Sequence, residues 1–415
     1  MRDESKTALI NKIKIIIGKT KWSHENGIQV ESDFYDLAQI LRELKKQKDK
    51  KLDFLHQLDI FTIIYIQLLP LTKEIPQNTP PGSVDNILTP EKIDYLINNI
   101  LDFLIKIPIN YTICFAIPLF KGEQLFQFDR VSIHLSYEAP ENIGLFNALI
   151  NNSDPINRVS SPDGLLCRAQ GFCYNVNNDT FKQALSLLKV FIQQGLSKKL
   201  FIKNRNSINN RFSGLFSQNE KNIPIFYAYI KDELDGTTLK RELPDHLSCF
   251  LDKLKINTDN DSIRSRSHEE IEKFFQRCSS IAYAENQNIK SIKSAIEWAF
   301  DSYTYEEYDD SMSFLQVCFG LEALFTENGV DIKEEKASIL STLSLKCAYL
   351  ISSTVEERKQ NIDKIKEIYS LRSKLVHGRQ NSLKRSEKDL LYYGRKILEL
   401  SIEKEIKMNI GNIIP

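Results

Sequence analysis

The chain has 415 residues, 42% hydrophobic and 27% charged, which suits a folded protein of two or three domains and excludes a disordered or fibrous one. Lysine plus arginine and aspartate plus glutamate number 55 each, so no global basic field draws the chain to nucleic acid and any anion site must be local. Seven widely spaced cysteines form no Cys-x2-Cys pair, which argues against zinc and for buried thiols in a reducing compartment.

Taken in order, Met1 to Lys6 lacks the apolar core of a signal peptide. Residues 1–110 are expected to be mostly helical: Ile10, Ile13, Ile15, Ile16 and Ile17 begin one apolar face, and Phe34 to Leu44 carries another. Phe54 to Leu69 is apolar nearly all round. The longest apolar run, Ile60 to Leu71, is interrupted by Thr62 and Gln67 and is too short to cross a bilayer. The expectation is a cytoplasmic protein with no membrane partner and no cofactor. Lys45 to Lys51 is a charge run suited to a solvated helix end, and Ile75 to Gly82 is a proline-rich loop. Thr89 and Pro90 open another helix as N-cap and first helical residue.

Residues 111–256 change to an α+β pattern. Tyr111 to Pro118 and Leu125 to Tyr137 have the β-branched and aromatic content of strands, with Gly122 suiting a hairpin turn between them. Ile223 to Ile230 is a further strand candidate, and Asp179 to Gly195 is a helix packing Ala184, Leu187, Leu188, Val190, Phe191 and Ile192 inward. Lys198 to Arg211 mixes basic and aromatic residues, which fits either a nucleic-acid track or a polar loop. His24, His56, His134 and His246 lack any repeated ligand spacing and read as structural. No phosphate-binding glycine motif and no nucleophile elbow is present.

Asn257 to Ser262 is the best domain boundary, and residues 263–415 read as an all-α helical bundle. The expected helices are His268–Glu285, Lys290–Glu307, Ser311–Phe325, Lys333–Ser352, Val355–His377 and Ser386–Ile406. Ser386 with Asp389 resembles a capping pair, and Gly394 would allow a close helix approach.

In the fifth of these helices Ile365, Ile368, Tyr369, Leu375 and Val376 recur at three- and four-residue spacing, and Arg372 sits on the same stripe. An isolated charge in a packed interior costs several kcal/mol, roughly, so Arg372 must be paired or face a groove. His377 follows five residues later, about 140° round the helix, and Gly378 is a natural C′ residue that ends the helix just beyond the imidazole. Glu322, beside Leu321 on the third helix, is placed to pair with Arg372 and aim it. A histidine titrating near neutrality serves as base or acid, and an arginine fork matches phosphate oxygens. No metal ligand set accompanies them.

Arg-x4-His together with Phe319-Gly-Leu-Glu-Ala-Leu-Phe325 and Tyr369-Ser-Leu-Arg-Ser-Lys-Leu-Val-His-Gly378 resembles the HEPN superfamily of ribonucleases, in its Apea-like branch, over roughly the last 150 residues. Ser373 stands where the family often carries Asn, Asp or His, a departure the branch tolerates. The resemblance implies a metal-independent endoribonuclease with Arg372 and His377 catalytic and Glu322, Tyr369, Ser373 and Lys374 supporting. It implies a homodimer through the C-terminal helices, so that two arginines and two histidines meet one phosphate. Such proteins resemble toxins and antiviral effectors of prokaryotic defence. Arg379, Lys384 and Arg385 make the surroundings basic, as RNA binding or a solvated helix face both require. Residues 1–255 are then expected to sense an unknown trigger ligand or phage component and restrain the nuclease. The alternative is a catalytically silent module that binds RNA, nucleotide or a protein partner, with Arg372 and Glu322 a structural ion pair.

Overall fold

The computed structural model describes residues 3–30, 34–47, 52, 54–76, 78–116, 126–128, 131–134, 164–174, 178–203, 226–234, 236, 238–257, 268–284, 286–306, 308–325 and 336–410. The chain is mostly helical, with a small N-terminal sheet and a C-terminal helical part. It divides into two compact units, one of Met1–Ile113, Arg168–Ala184 and Ile230–Leu239, the other of Cys114–Cys167, Leu185–Tyr229 and Lys240–Pro415.

The first residues form α1 (Asp3–Lys19), β1 (Lys21–Ser23), β2 (Gly27–Gln29), α2 (Phe34–Gln47), α3 (Gln57–Thr72), β3 (Gly82–Ser83), α4 (Val84–Ile87) and α5 (Pro90–Lys106). Ile13, Ile16 and Ile17 of α1, Leu37 and Ile40 of α2, Ile60 and Ile64 of α3 and Ile97 and Ile100 of α5 are buried. Ile15 is half exposed, as the 100° advance per residue requires of a helix with one buried face. Thr89 caps α5, accepting from the Lys92 N–H, with Pro90 at its start. The three short strands pair antiparallel in the order β2-β1-β3. Strands of two or three residues are too short to display a period of two, which is why sequence patterning did not find them.

The middle of the chain supplies β4 (Ile109–Ala116), β5 (Phe126–Phe128), β6 (Val131–His134), β7 (Gly164–Gly171), α6 (Asp179–Ser197), β8 (Phe201–Lys203), β9 (Tyr227–Asp232), β10 (Thr238–Glu242), α7 (Asp245–Lys253) and β11 (Leu254–Ile256). Six strands form one sheet in the order β10-β9-β4-β7-β6-β5, and β8 pairs antiparallel with β11. The stretch Leu125 to Tyr137, expected as one strand, contains two: Phe126 pairs with Ile133 and Phe128 with Val131 in an antiparallel ladder. The expected Gly122 turn, residues 204–211 of the basic stretch, residues 223–225 of the strand candidate and residues 258–262 of the boundary lie outside the described residues. Strand β7 was missed because, although Cys167 to Gln170 alternate buried and exposed, the strand holds no β-branched or aromatic residue.

The C-terminal helices are α8 (His268–Ala282), α9 (Gln287–Tyr305), α10 (Asp310–Phe325), α11 (Lys336–Ile351), α12 (Val355–Val376) and α13 (Lys388–Asn409). Phe314, Val317, Cys318 and Leu321 of α10 pack with Ile365 and Ile368 of α12 and Leu391 and Leu398 of α13 in one buried core. Gly394 lies where α13 meets two neighbours: a Cβ there would come 3.2 Å from Val317 Cγ1 and 3.3 Å from Ile368 Cδ1. The expected Ser386 cap does not form. Residues Arg385–Glu387 make a 3-10 turn, and the Glu387 carboxylate accepts the Lys384 N–H at 2.8 Å and the Gln380 amide at 2.6 Å, so the helix begins at Lys388.

Within its own unit this bundle packs on α6 and α7. Phe191 lies 5.5 Å from Phe274 and 5.4 Å from Phe275 between ring centroids, and Phe250 lies 5.3 Å from Phe300. Lys189 pairs with Asp301 at 2.8 Å, Lys198 with Glu403 at 2.7 Å and Lys203 with Glu306 at 3.4 Å.

Candidate functional site

Helix α12 is capped at both ends, and the caps fix where its last turn stands. Thr354 and Glu357 form a reciprocal capping box at the start, the Glu357 N–H donating to Thr354 Oγ1 at 3.2 Å. At the other end Gly378 adopts φ +66, the left-handed conformation that side chains resist. The Arg379 N–H then donates to the Lys374 carbonyl at 2.9 Å and the Gly378 N–H to the Leu375 carbonyl at 3.3 Å, which completes a Schellman closure. His377 is therefore the C-cap residue, with its N–H on the Ser373 carbonyl at 3.1 Å.

The buried stripe of α12 is Ile365, Ile368 and Leu371. Val376, expected on that stripe, is 46% exposed: α12 ends there, so its last turn has left the packed face. Arg372 follows Leu371 at the margin of the core and reaches α10. Its Nη2 donates to Glu322, 3.2 Å from one carboxylate oxygen and 3.4 Å from the other, with both side chains 28% exposed. Burial raises the Glu322 carboxyl above the usual carboxylate range, and the Arg372 charge and hydrogen bond pull it back. The Tyr369 hydroxyl donates to the Cys318 carbonyl at 3.4 Å beside this pair, and burial pushes its own acidity far down. Arg372 Nε is buried with no hydrogen-bond partner.

Arg372, Glu322 and Tyr369 are thus brought together, and His377 stands apart from them at the helix end. Its ring is exposed and makes no hydrogen bond, ion pair or ring contact among the described residues. Five residues of helix separate it from Arg372, about 7.5 Å along the axis. Lys374, Arg379, Lys384 and Arg385, its neighbours in sequence, are exposed and make no salt bridge among the described residues, and Lys384 and Lys374 help lower the Glu387 carboxyl. Ser373 contributes its carbonyl to the cap. Elsewhere, His24 packs edge-on to Trp22 at 4.4 Å, His56 lies 3.4 Å from Asp179, and His246 stacks on Tyr305 at 4.6 Å. Among the described residues no group of three or more His, Cys, Asp and Glu side chains could hold a metal ion.

A second buried arginine escaped the sequence reading. Arg395 of α13 is 5% exposed and donates to the Ser302 carbonyl and the Ser313 hydroxyl, each at 3.0 Å, and to Ser302 Oγ at 3.1 Å. It also lies 3.4 Å from Glu306 and stacks on Tyr303 at 4.2 Å. Its signal in the sequence was the one that exposed Arg372: four residues after Leu391 and three before Leu398, it interrupts an apolar stripe. No family model, curated protein or solved structure matches the chain.

Proposed function

We propose that the protein is a metal-independent endoribonuclease of the HEPN type, with Arg372 and His377 as its catalytic pair. The observation that carries this reading is the contrast within α12: the arginine is oriented by Glu322, while the histidine a turn and a half later is unpaired, exposed and fixed at a capped helix end. His377 would take the 2′-hydroxyl proton or return one to the leaving 5′-oxygen. Arg372 would stabilise the charge that develops on the phosphate. One arginine and one histidine leave the other proton transfer unserved, so a two-fold dimer of α10 and α12 supplies the second pair. Lys374, Arg379, Lys384 and Arg385 give the local positive field that the neutral chain lacks globally. Residues 1–255 then act as the sensing and restraining part of a cytoplasmic defence effector, shifting the dimer to its active arrangement when a trigger binds.

The same ion pair favours a second reading, because an Arg372 held by Glu322 is also what a silent binding module for RNA, nucleotide or a protein partner would keep. One experiment separates them. Purified wild type should cleave RNA in EDTA and His377→Ala should not, whereas equal behaviour of the two selects the binding module. A monomer under cleaving conditions removes the two-fold site.

A further inference from the structure

Helix α12 carries more unpaired positive charge than its catalytic end requires. At its first turn the Arg358 guanidinium lies 4.7 Å from the centre of the Tyr349 ring, and Tyr349 is 62% exposed. Arg358 has no ion pair among the described residues, and its Nε is buried without a hydrogen-bond partner. Lys359 and Lys366 follow along the helix, exposed and without an ion pair among the described residues, and Lys374, also exposed, acts on the Glu387 carboxylate. At 100° per residue, Lys359 and Lys366 fall within about 20° of the direction of His377, and Lys374 lies about 60° to one side. Of the acids on α12, Glu357 is consumed by the capping box and Glu367 by Lys364 at 2.8 Å, while Glu356 and Asp363 lie about 60° and 40° from the direction of His377, on the side of Lys374.

We propose that this stripe is a track for single-stranded RNA, running from a base-stacking platform at Tyr349 and Arg358 to the scissile position at His377. An exposed aromatic face backed by a guanidinium takes any base, and lysines spaced along a helix take the backbone. Arg358 and His377 are nineteen residues apart, about 28 Å along the axis, which a strand stacked at about 3.4 Å per nucleotide covers in about eight nucleotides. The track extends the ribonuclease reading and rests on it. It adds a preference for unpaired substrates long enough to reach both ends.

The test uses the full chain carrying His377→Ala, so that substrate survives, and measures fluorescence anisotropy of labelled oligouridines of four and fifteen nucleotides. The fifteen-mer should bind more tightly than the four-mer, and Tyr349→Ala or Arg358→Glu should shrink that advantage about tenfold. Tyr349→Phe should keep it. Lys359→Glu with Lys366→Glu should lower the salt dependence of fifteen-mer binding. If Tyr349→Ala and Arg358→Glu, with unchanged circular dichroism, bind the fifteen-mer as the parent does while the His377 protein cleaves RNA, the track is overturned and the nuclease reading survives. If the parent binds neither oligomer and the His377 protein cleaves no RNA, both fall together.

Discussion

The Arg372 guanidinium and the Glu322 carboxylate lie 3.2 Å apart at the margin of the core, joining α12 to α10 through a pair that is only partly wet. Removing the arginine takes from a half-buried carboxylate the cation that opposes its burial. Arg372→Ala should therefore destabilise the fold by roughly 1–3 kcal/mol at neutral pH. Burial already raises the Glu322 carboxyl, and loss of its partner raises it further. A raised carboxyl binds its proton more tightly folded than unfolded, so this stability is present at low pH and lost as pH rises through the folded value. The deficit of Arg372→Ala against wild type should be small near pH 4 and grow toward neutrality. Glu322→Gln in the same background should recover most of it. Urea titrations at both pH values check this, and a pH-independent deficit would show that packing, not charge, is what Arg372 supplies.

His377 contributes nothing to packing, so His377→Ala should change stability by less than about 0.5 kcal/mol while abolishing RNA cleavage. Gly378→Ala differs: at φ +66 an added Cβ costs roughly 1–2 kcal/mol and loosens the closure that fixes His377. Thermal melts paired with single-turnover cleavage separate the two. Cleavage by Gly378→Ala at the wild-type rate would mean that the helix end does not position the imidazole.

The site was legible in the sequence because a charge on an apolar stripe is improbable without a partner, and because glycine after the last turn announces a helix end. The partner was legible too, since Glu322 borders the stripe of α10 as Arg372 borders that of α12. Val376 was misread because spacing alone does not say where a helix leaves its neighbours. The short strands β1, β2 and β3 and the break that divides β5 from β6 were illegible for another reason: runs of two to four residues are too short to display the alternation that marks a strand. Arg395 was overlooked although the argument used for Arg372 applies to it unchanged.

Arg395 and Gly394 make a matched pair of tests of the bundle core. Arg395→Ala would take the buried guanidinium from both Glu306 and the Ser302 carbonyl, so a loss of about 3–5 kcal/mol is expected. Gly394→Ala presses a methyl against Val317 and Ile368 at 3.2 and 3.3 Å and should cost roughly 1–3 kcal/mol. Ile368 lies one turn before Arg372, and Val317 five residues before Glu322. The two sites should therefore couple: in a double-mutant cycle Gly394→Ala and Glu322→Gln should be non-additive by more than about 0.5 kcal/mol. Additive effects would mean that α13 packs without setting the Arg372 geometry.

The C-terminal helices depend on residues that precede them in the chain. Asn257 to Ser262 is the natural place by composition, and a nuclease freed there would be expected to be more toxic if residues 1–255 restrain it. The packing inside the larger unit complicates that test. Phe191 of α6 covers Phe274 and Phe275, Phe250 of α7 covers Phe300, and Lys189, Lys198 and Lys203 neutralise Asp301, Glu403 and Glu306. A fragment from residue 263 loses all five of these partners at once. Burial raises the Asp301 carboxyl, with Lys189 opposing, so the deserted acid takes up a proton or opens its surroundings to water. The expected outcome is a fragment with helical circular dichroism but a broad, weakly cooperative melt and exposed apolar surface, the signature of packing lost while helices persist. In the intact chain, Phe191→Ala should cost about 3–5 kcal/mol, the usual range for emptying an aromatic from a core. A sharp melt from the 263–415 fragment would show that α6 and α7 are dispensable. In that case its toxicity reports directly on restraint, whereas a molten fragment that fails to kill reports only on folding.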